Sequence, residues 1–82
     1  MEKNLRSKEG KKEGYWEYYY INGKLAFKGN FKNGKREGYW EVYHLTGELW
    51  YKGNYINYVK VGYWERYNNI GELNRKKYYL VD

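Results

Sequence analysis

The sequence predicts an all-β protein, a single-layer antiparallel β-meander of about six short strands, and three observations carry that prediction. Aromatic and aliphatic residues alternate with polar ones, as in "GYWEYYYINGKLAFKGNF" from Gly14 to Phe31, which is the period-two pattern of a strand. Gly-Tyr-Trp-Glu begins at Gly14, Gly38 and Gly62, an internal repeat of 24 residues that argues for tandem copies of one supersecondary unit. Dipeptides ending in glycine, led by Asn22-Gly23, separate the alternating runs, and Asn-Gly is the strongest short signal for a hairpin turn.

Taken in order, residues 1–13 set Lys3, Arg6, Lys8, Lys11 and Lys12 against Glu2, Glu9 and Glu13. This is a charged N-terminal segment, expected to be flexible or a short edge strand, and it lacks the apolar stretch of a signal peptide. The repeat domain follows over 14–82, in units 14–37, 38–61 and 62–82. In the first unit, a two-residue turn at Asn22-Gly23 sets Tyr20 against Leu25, Tyr18 against Phe27 and Trp16 against Gly29 on one face, since residues two apart share a face. The other face then pairs Tyr19 with Ala26, Glu17 with Lys28 and Tyr15 with Asn30. The Trp16 indole is expected over Gly29, a residue without a side chain. Asn33-Gly34 is the turn into the second unit, where the same register pairs Trp40 with Gly53, Val42 with Tyr51 and Glu41 with Lys52 around Thr46-Gly47. Asn57-Tyr58 is a weaker signal in the matching place. The third hairpin turns at Ile70-Gly71, and it departs from the others in carrying Lys77 where Gly29 and Gly53 stand, as terminal repeats commonly do.

Eighty-two residues are enough for one domain and too few to enclose a large active site. With no cysteine there is no disulfide framework and no thiolate metal site, and no apolar run approaches the roughly 18 residues of a membrane span; a cytoplasmic location is expected. His44, Ser7, Thr46 and Asp82 are each the sole residue of their kind, so no Ser-His-Asp or Cys-His arrangement assembles within one chain. The chain is expected to be non-enzymatic, with no cofactor and no metal. Glu17, Glu41 and Glu65 read as members of cross-strand ion pairs, and His44 as a surface residue near a turn. The aromatic content follows from the architecture: a single layer must protect both its faces, and Tyr and Trp pack by their rings while keeping a polar tip wet.

Phe27-Lys28-Gly29-Asn30-Phe31, followed by Asn33-Gly34-Lys35 and Gly38, resembles the MORN repeat, as does Tyr51-Lys52-Gly53-Asn54-Tyr55. The similarity is to the variant found in tandem in small bacterial and phage proteins of the YwqK-like antitoxin kind, and it spans Gly14 to about Tyr79. Phe31 and Tyr55 stand where that family usually has Trp. The resemblance implies a hairpin scaffold that serves as a protein–protein interaction module, an antitoxin-like inhibitor that captures an effector. The net charge of +6 favours a partner with an acidic surface. Single-stranded nucleic acid or an anionic membrane are the alternatives, and association of copies through edge strands is open. Positions that differ between units are free to be specialised. On that ground Trp50, which replaces Ala26 and Asn74, is the candidate anchor, expected on the face of Tyr19, Tyr43 and Tyr67. Arg66, Arg75 and Lys77, on the Trp16 face, are expected to polarise the open end of the sheet as a cap; the other reading makes them a second candidate patch, for an acidic partner, and Lys77 is placed opposite the Trp64 ring for a cation-π contact.

Overall fold

The structure, a computed structural model, describes residues 10–80 in full and residues 2–6 by backbone alone. Seven strands, β1 (Glu2–Arg6), β2 (Lys12–Tyr19), β3 (Leu25–Lys32), β4 (Lys35–Tyr43), β5 (Leu49–Ile56), β6 (Val59–Tyr67) and β7 (Leu73–Tyr79), pair antiparallel in chain order as one open sheet. Extents of 41 × 39 × 11 Å are those of a single layer, and no helix occurs among the described residues. β2 to β7 are the six strands of the three hairpins. β1 adds an edge strand drawn from the charged N-terminal segment, whose residues 1 and 7–9 lie outside the described residues.

Two kinds of turn alternate along the meander. Asn33-Gly34, with φ of 52° and 80°, joins the directly paired Lys32 and Lys35, so both central residues are left-handed as a type I′ turn requires. Asn57-Tyr58 forms the same turn, with φ of 50° and 77°. A tyrosine thus holds a backbone conformation that costs an L side chain roughly 1–2 kcal/mol. At Asn22-Gly23 only the glycine has positive φ. Gly23 N–H donates to Tyr20 C=O and Tyr20 N–H to Lys24 C=O, a three-residue loop ending in a glycine bulge. The expected two-residue turn is therefore corrected there. Tyr19 pairs with Leu25, past a register shift, instead of with Ala26, and Tyr20 faces Lys24 across the mouth of the loop instead of Leu25. Beyond the bulge the predicted register holds, with Tyr18–Phe27, Glu17–Lys28, Trp16–Gly29 and Tyr15–Asn30. The second hairpin repeats it, from Tyr43–Leu49 to Trp40–Gly53.

The glycine that opens each Gly-Tyr-Trp-Glu has a different task from a turn. Gly38 has φ of 77° inside β4, where the β3–β4 ladder jumps from Asn30–Glu37 to Lys28–Glu41. The extra residues make a bulge, which bends the strand and re-aims the side chain that follows. Trp40 is thereby thrown back over β3. A Cβ built on Gly29 would lie 2.2 Å from Trp40 Cδ2, and one on Gly53 would lie 2.2 Å from Trp64 Cδ2. The Trp-over-Gly packing exists, but Trp40 and Trp64 cover the glycine of the preceding hairpin, so that Gly29 lies under Trp40 although Trp16 is opposite it in register, and Gly53 lies under Trp64 although Trp40 is opposite it. The two indoles donate to the preceding hairpin as well, Trp40 Nε1 to Asn30 C=O at 3.0 Å and Trp64 Nε1 to Asn54 C=O at 3.1 Å.

These rings make the core. Trp16, Phe31, Trp40, Tyr55 and Trp64 form one buried row on one face of the sheet, each Trp meeting a Phe or Tyr edge-on, as in the Phe31–Trp40 contact at 5.0 Å and 88°. Trp16 and Trp40 are 1% and 2% exposed. For Trp40 and Trp64 a single layer achieves that burial because the flat ring lies against backbone from which the Cβ is missing.

Candidate functional site

The face opposite the core carries a ladder of tyrosine and glutamate. Tyr15 and Tyr19 donate to Glu17 at 2.8 and 2.7 Å, Tyr39 and Tyr43 to Glu41, and Tyr67 to Glu65 at 2.6 Å. The ion pairs on this face join neighbouring hairpins, Lys28 to Glu41 at 3.2 Å and Lys52 to Glu65 at 3.4 Å. Within the third hairpin Lys76 reaches Glu65 at 4.0 Å. The expected Glu41–Lys52 pair is thus aligned in register, while the lysine closes on the next glutamate along. Burial and then the Glu17 hydrogen bond push Tyr15 up to about 12. Burial, followed by the bonds to Glu41, raises Tyr39 and Tyr43. Burial alone would raise Glu41, but the hydrogen bonds from Tyr43, Tyr39 and Lys28 outweigh it and hold the carboxyl below its usual value. The Tyr67 hydrogen bond, aided by Lys52, does the same for Glu65.

Tyr19, Tyr43 and Tyr67, three of the four members of the first candidate patch, are therefore engaged with glutamates of their own strands. Trp50 is not among them. It is the bulged residue between the Tyr43–Leu49 and Val42–Tyr51 pairs, its ring stacks on His44 at 4.8 Å and 22°, and it meets the adjacent Tyr51 at 5.6 Å. Strict alternation would put consecutive residues on opposite faces; the bulge breaks the alternation. His44, expected at the surface near a turn, is half-buried there and bridges to the next hairpin, its Nε2–H donating to Tyr67 C=O at 3.0 Å. Tyr20, one unit earlier, makes the equivalent bond to Tyr43 C=O.

Trp50 instead joins the second candidate patch. An open hollow of about 390 Å³ on the core side of the last repeats is lined by Trp50, Tyr51, Trp64 and Tyr79, by Lys60, Arg66, Arg75 and Lys77, and by Glu65. The structure thus brings together Trp50, Arg66, Arg75 and Lys77 and leaves Tyr19, Tyr43 and Tyr67 on the other side. Lys77 stands opposite Trp64 in register, but its ammonium lies over Tyr79 at 4.9 Å. The cation over Trp64 is Lys60, at 4.9 Å.

Lys60 belongs to a set that the sequence reading passed over. Lys12 lies over Trp16 and Phe31, Arg36 over Trp40, Tyr55 and Tyr58, and Lys60 over Trp64, Tyr51 and Tyr79. The signal was available: a cation recurs at the repeat spacing four residues before each Trp, and so on the same strand face. These three roof the indoles. Arg66, Arg75 and Lys77 have no counterpart in the earlier units, where Tyr18 or Val42, Phe27 or Tyr51, and Gly29 or Gly53 stand. Arg66 and Arg75 are directly opposite each other, and neither has an ion-pair partner among the described residues. Like charges so placed repel, and an anion between them would relieve the repulsion. Among the described residues no three His, Asp or Glu side chains converge to hold a metal, and no helix is long and apolar enough to cross a membrane. Neither a family model, nor a curated protein, nor a solved structure matches the chain.

Proposed function

We propose that the chain is a non-enzymatic binding module of MORN type, acting in the cytoplasm, that captures an acidic segment of another protein in the hollow of its last two hairpins. The observation that carries this reading is the Arg66–Arg75 pair, unneutralised and set beside Lys60 and Lys77 over an aromatic floor. Two guanidiniums facing one another favour a carboxylate, which each can bind through paired N–H donors. Trp50, Tyr51 and Tyr79 give an apolar surface beside the charge, the mixture of aromatic and arginine found where binding energy concentrates. An inhibitor or antitoxin-like role follows if the captured segment belongs to an effector's working surface.

The test compares the wild-type chain with the Arg75→Glu/Lys77→Glu variant as bait in nuclease-treated lysate, with anionic vesicles and a single-stranded oligonucleotide assayed in parallel. A protein retained by the wild type and lost from the variant supports the reading. Retention that ignores the charge reversal, or tighter binding of oligonucleotide or vesicle than of any protein, overturns it.

A further inference from the structure

We infer that the acidic segment docks as an added strand on the outer edge of β7, extending the sheet; this rests on the proposed function above and specifies how the hollow is used. β7 is one of the two edges of the described sheet, with its residues from Leu73 to Tyr78 all exposed, so one row of its backbone N–H and C=O groups faces outward, ready to pair with an extended chain.

The earlier hairpins show what such a strand meets. On β3, Phe27 pairs with Val42 and Lys28 with Glu41 of β4; on β5, Tyr51 pairs with Arg66 and Lys52 with Glu65 of β6. The same slots on β7 are Arg75 and Lys76. Lys28 and Lys52 each close to within 3.4 Å of a glutamate on the following strand. Lys76 turns back instead, 4.0 Å from Glu65 and over the Tyr63 ring at 4.8 Å. A carboxylate across from Lys76 would restore the forward ion pair that the other two units make. Its neighbour in the added strand projects to the opposite face, beside Arg75 and Arg66 in the hollow. The occupant is thus an extended segment with two adjacent acidic residues, one for each face.

Charge also decides against other strands. A second copy pairing β7 to β7 would set Arg75, Lys76 and Lys77 against the same three residues, and like charges across a ladder are unfavourable. An apolar strand meets Lys77 where Gly29 and Gly53 admit an indole. The edge is closed to these and open to an acidic strand.

The probe is a short synthetic peptide of alternating Thr and Val around a central Glu-Glu, with two controls: Gln-Gln at the centre, and alternate backbone nitrogens methylated so that one edge cannot donate. Binding is read by tryptophan fluorescence, and hydrogen exchange is followed at the β7 amides that point away from β6. The expected result is binding weakened by about tenfold or more with Gln-Gln, comparable loss on N-methylation, and slowed exchange along β7. The exposed Lys76→Glu variant should lose much of the preference for Glu-Glu over Gln-Gln, the remainder coming from Arg75 and Arg66 on the other face. If charge dependence persists while the methylated peptide binds equally and β7 exchange is unchanged, strand addition is wrong and the hollow stands as a site. Equal binding of Glu-Glu and Gln-Gln, no binding at millimolar peptide, or peptide-independent dimerisation through β7 overturns both.

Discussion

Replacing Gly29 by alanine adds one methyl group, and the structure says where it lands: 2.2 Å from Trp40 Cδ2 and 2.3 Å from Cε2, well inside van der Waals contact. The indole must lift. Overpacking of this kind costs about 1–3 kcal/mol, and displacement also stretches the Trp40–Asn30 hydrogen bond, worth about 1 kcal/mol. Against this, alanine in a strand recovers roughly 0.5–1 kcal/mol of backbone entropy relative to glycine. The net expectation is a loss of about 2–3 kcal/mol, and at about 4–8 °C per kcal/mol for a domain of this size the melting temperature should fall by roughly 10–20 °C. The matching change Lys77→Ala, at the same repeat position but with no indole over it, should move the midpoint by only a few degrees. The partner is identified by a double-mutant cycle in urea denaturation: Gly29→Ala should couple to Trp40→Leu, in the next hairpin, and not to Trp16→Leu, which lies opposite Gly29 in register. Coupling to Trp16, or an unchanged midpoint for Gly29→Ala, would refute the reasoning.

Three further outcomes are expected. At Tyr58, glycine should be more stable than alanine by about 1 kcal/mol in denaturant midpoint, because both lose the Arg36 contact and only alanine keeps the left-handed strain. Arg36→Ala should cost about 1–2 kcal/mol, since one guanidinium lies over Trp40, Tyr55 and Tyr58 together; a loss no greater than for an exposed lysine such as Lys35→Ala would show that the cation does not roof the core. Stability should also fall on the alkaline side. Tyr15, Tyr39 and Tyr43 have folded pKa values raised above 10, so between pH 10 and about 12 the unfolded chain releases protons that the folded chain retains, and rising pH favours unfolding. Glu41 and Glu65 are lowered, so their contribution is present above the ordinary value near 4.5 and is lost as pH falls below it. Melting temperature against pH, with tyrosinate absorbance followed in parallel, checks both limbs; a flat alkaline limb would count against the tyrosine–glutamate ladder.

The meander itself was legible because the 24-residue period and the Asn-Gly signals fix hairpin boundaries independently of any packing. Pairings away from the loop were legible too, since counting outward from a turn yields Trp16–Gly29 even when the turn is of the wrong kind. What counting cannot reach is the direction in which a side chain leans. Alternation places Trp40 on a face, but the bulge at Gly38 decides which strand the ring lies over, and nothing in the pattern distinguishes a bulge glycine from a turn glycine. The same limitation misplaced Trp50, since a bulge cancels the alternation that had put it beside Tyr43. The Arg66, Arg75 and Lys77 cluster was readable from sequence because those residues lie on regular stretches of β6 and β7.

Each hairpin sends its stabilising groups into its neighbour. Trp40 and Trp64 reach back to the unit before, while Tyr20, Asn22 and Lys24 reach forward to the carbonyls of Tyr43, Leu45 and Thr46. Both junctions share an indole laid over the preceding glycine and one loop bond to the carbonyl of Tyr43 or Tyr67, which makes residues 38–61 a repeatable tile: a second copy inserted in tandem would present Gly53 to the next indole. Copy number is thus free to change by unequal recombination within the gene without any new interface having to be invented, lengthening the sheet while the cationic terminal unit, and whatever it recognises, travels unchanged to the new end.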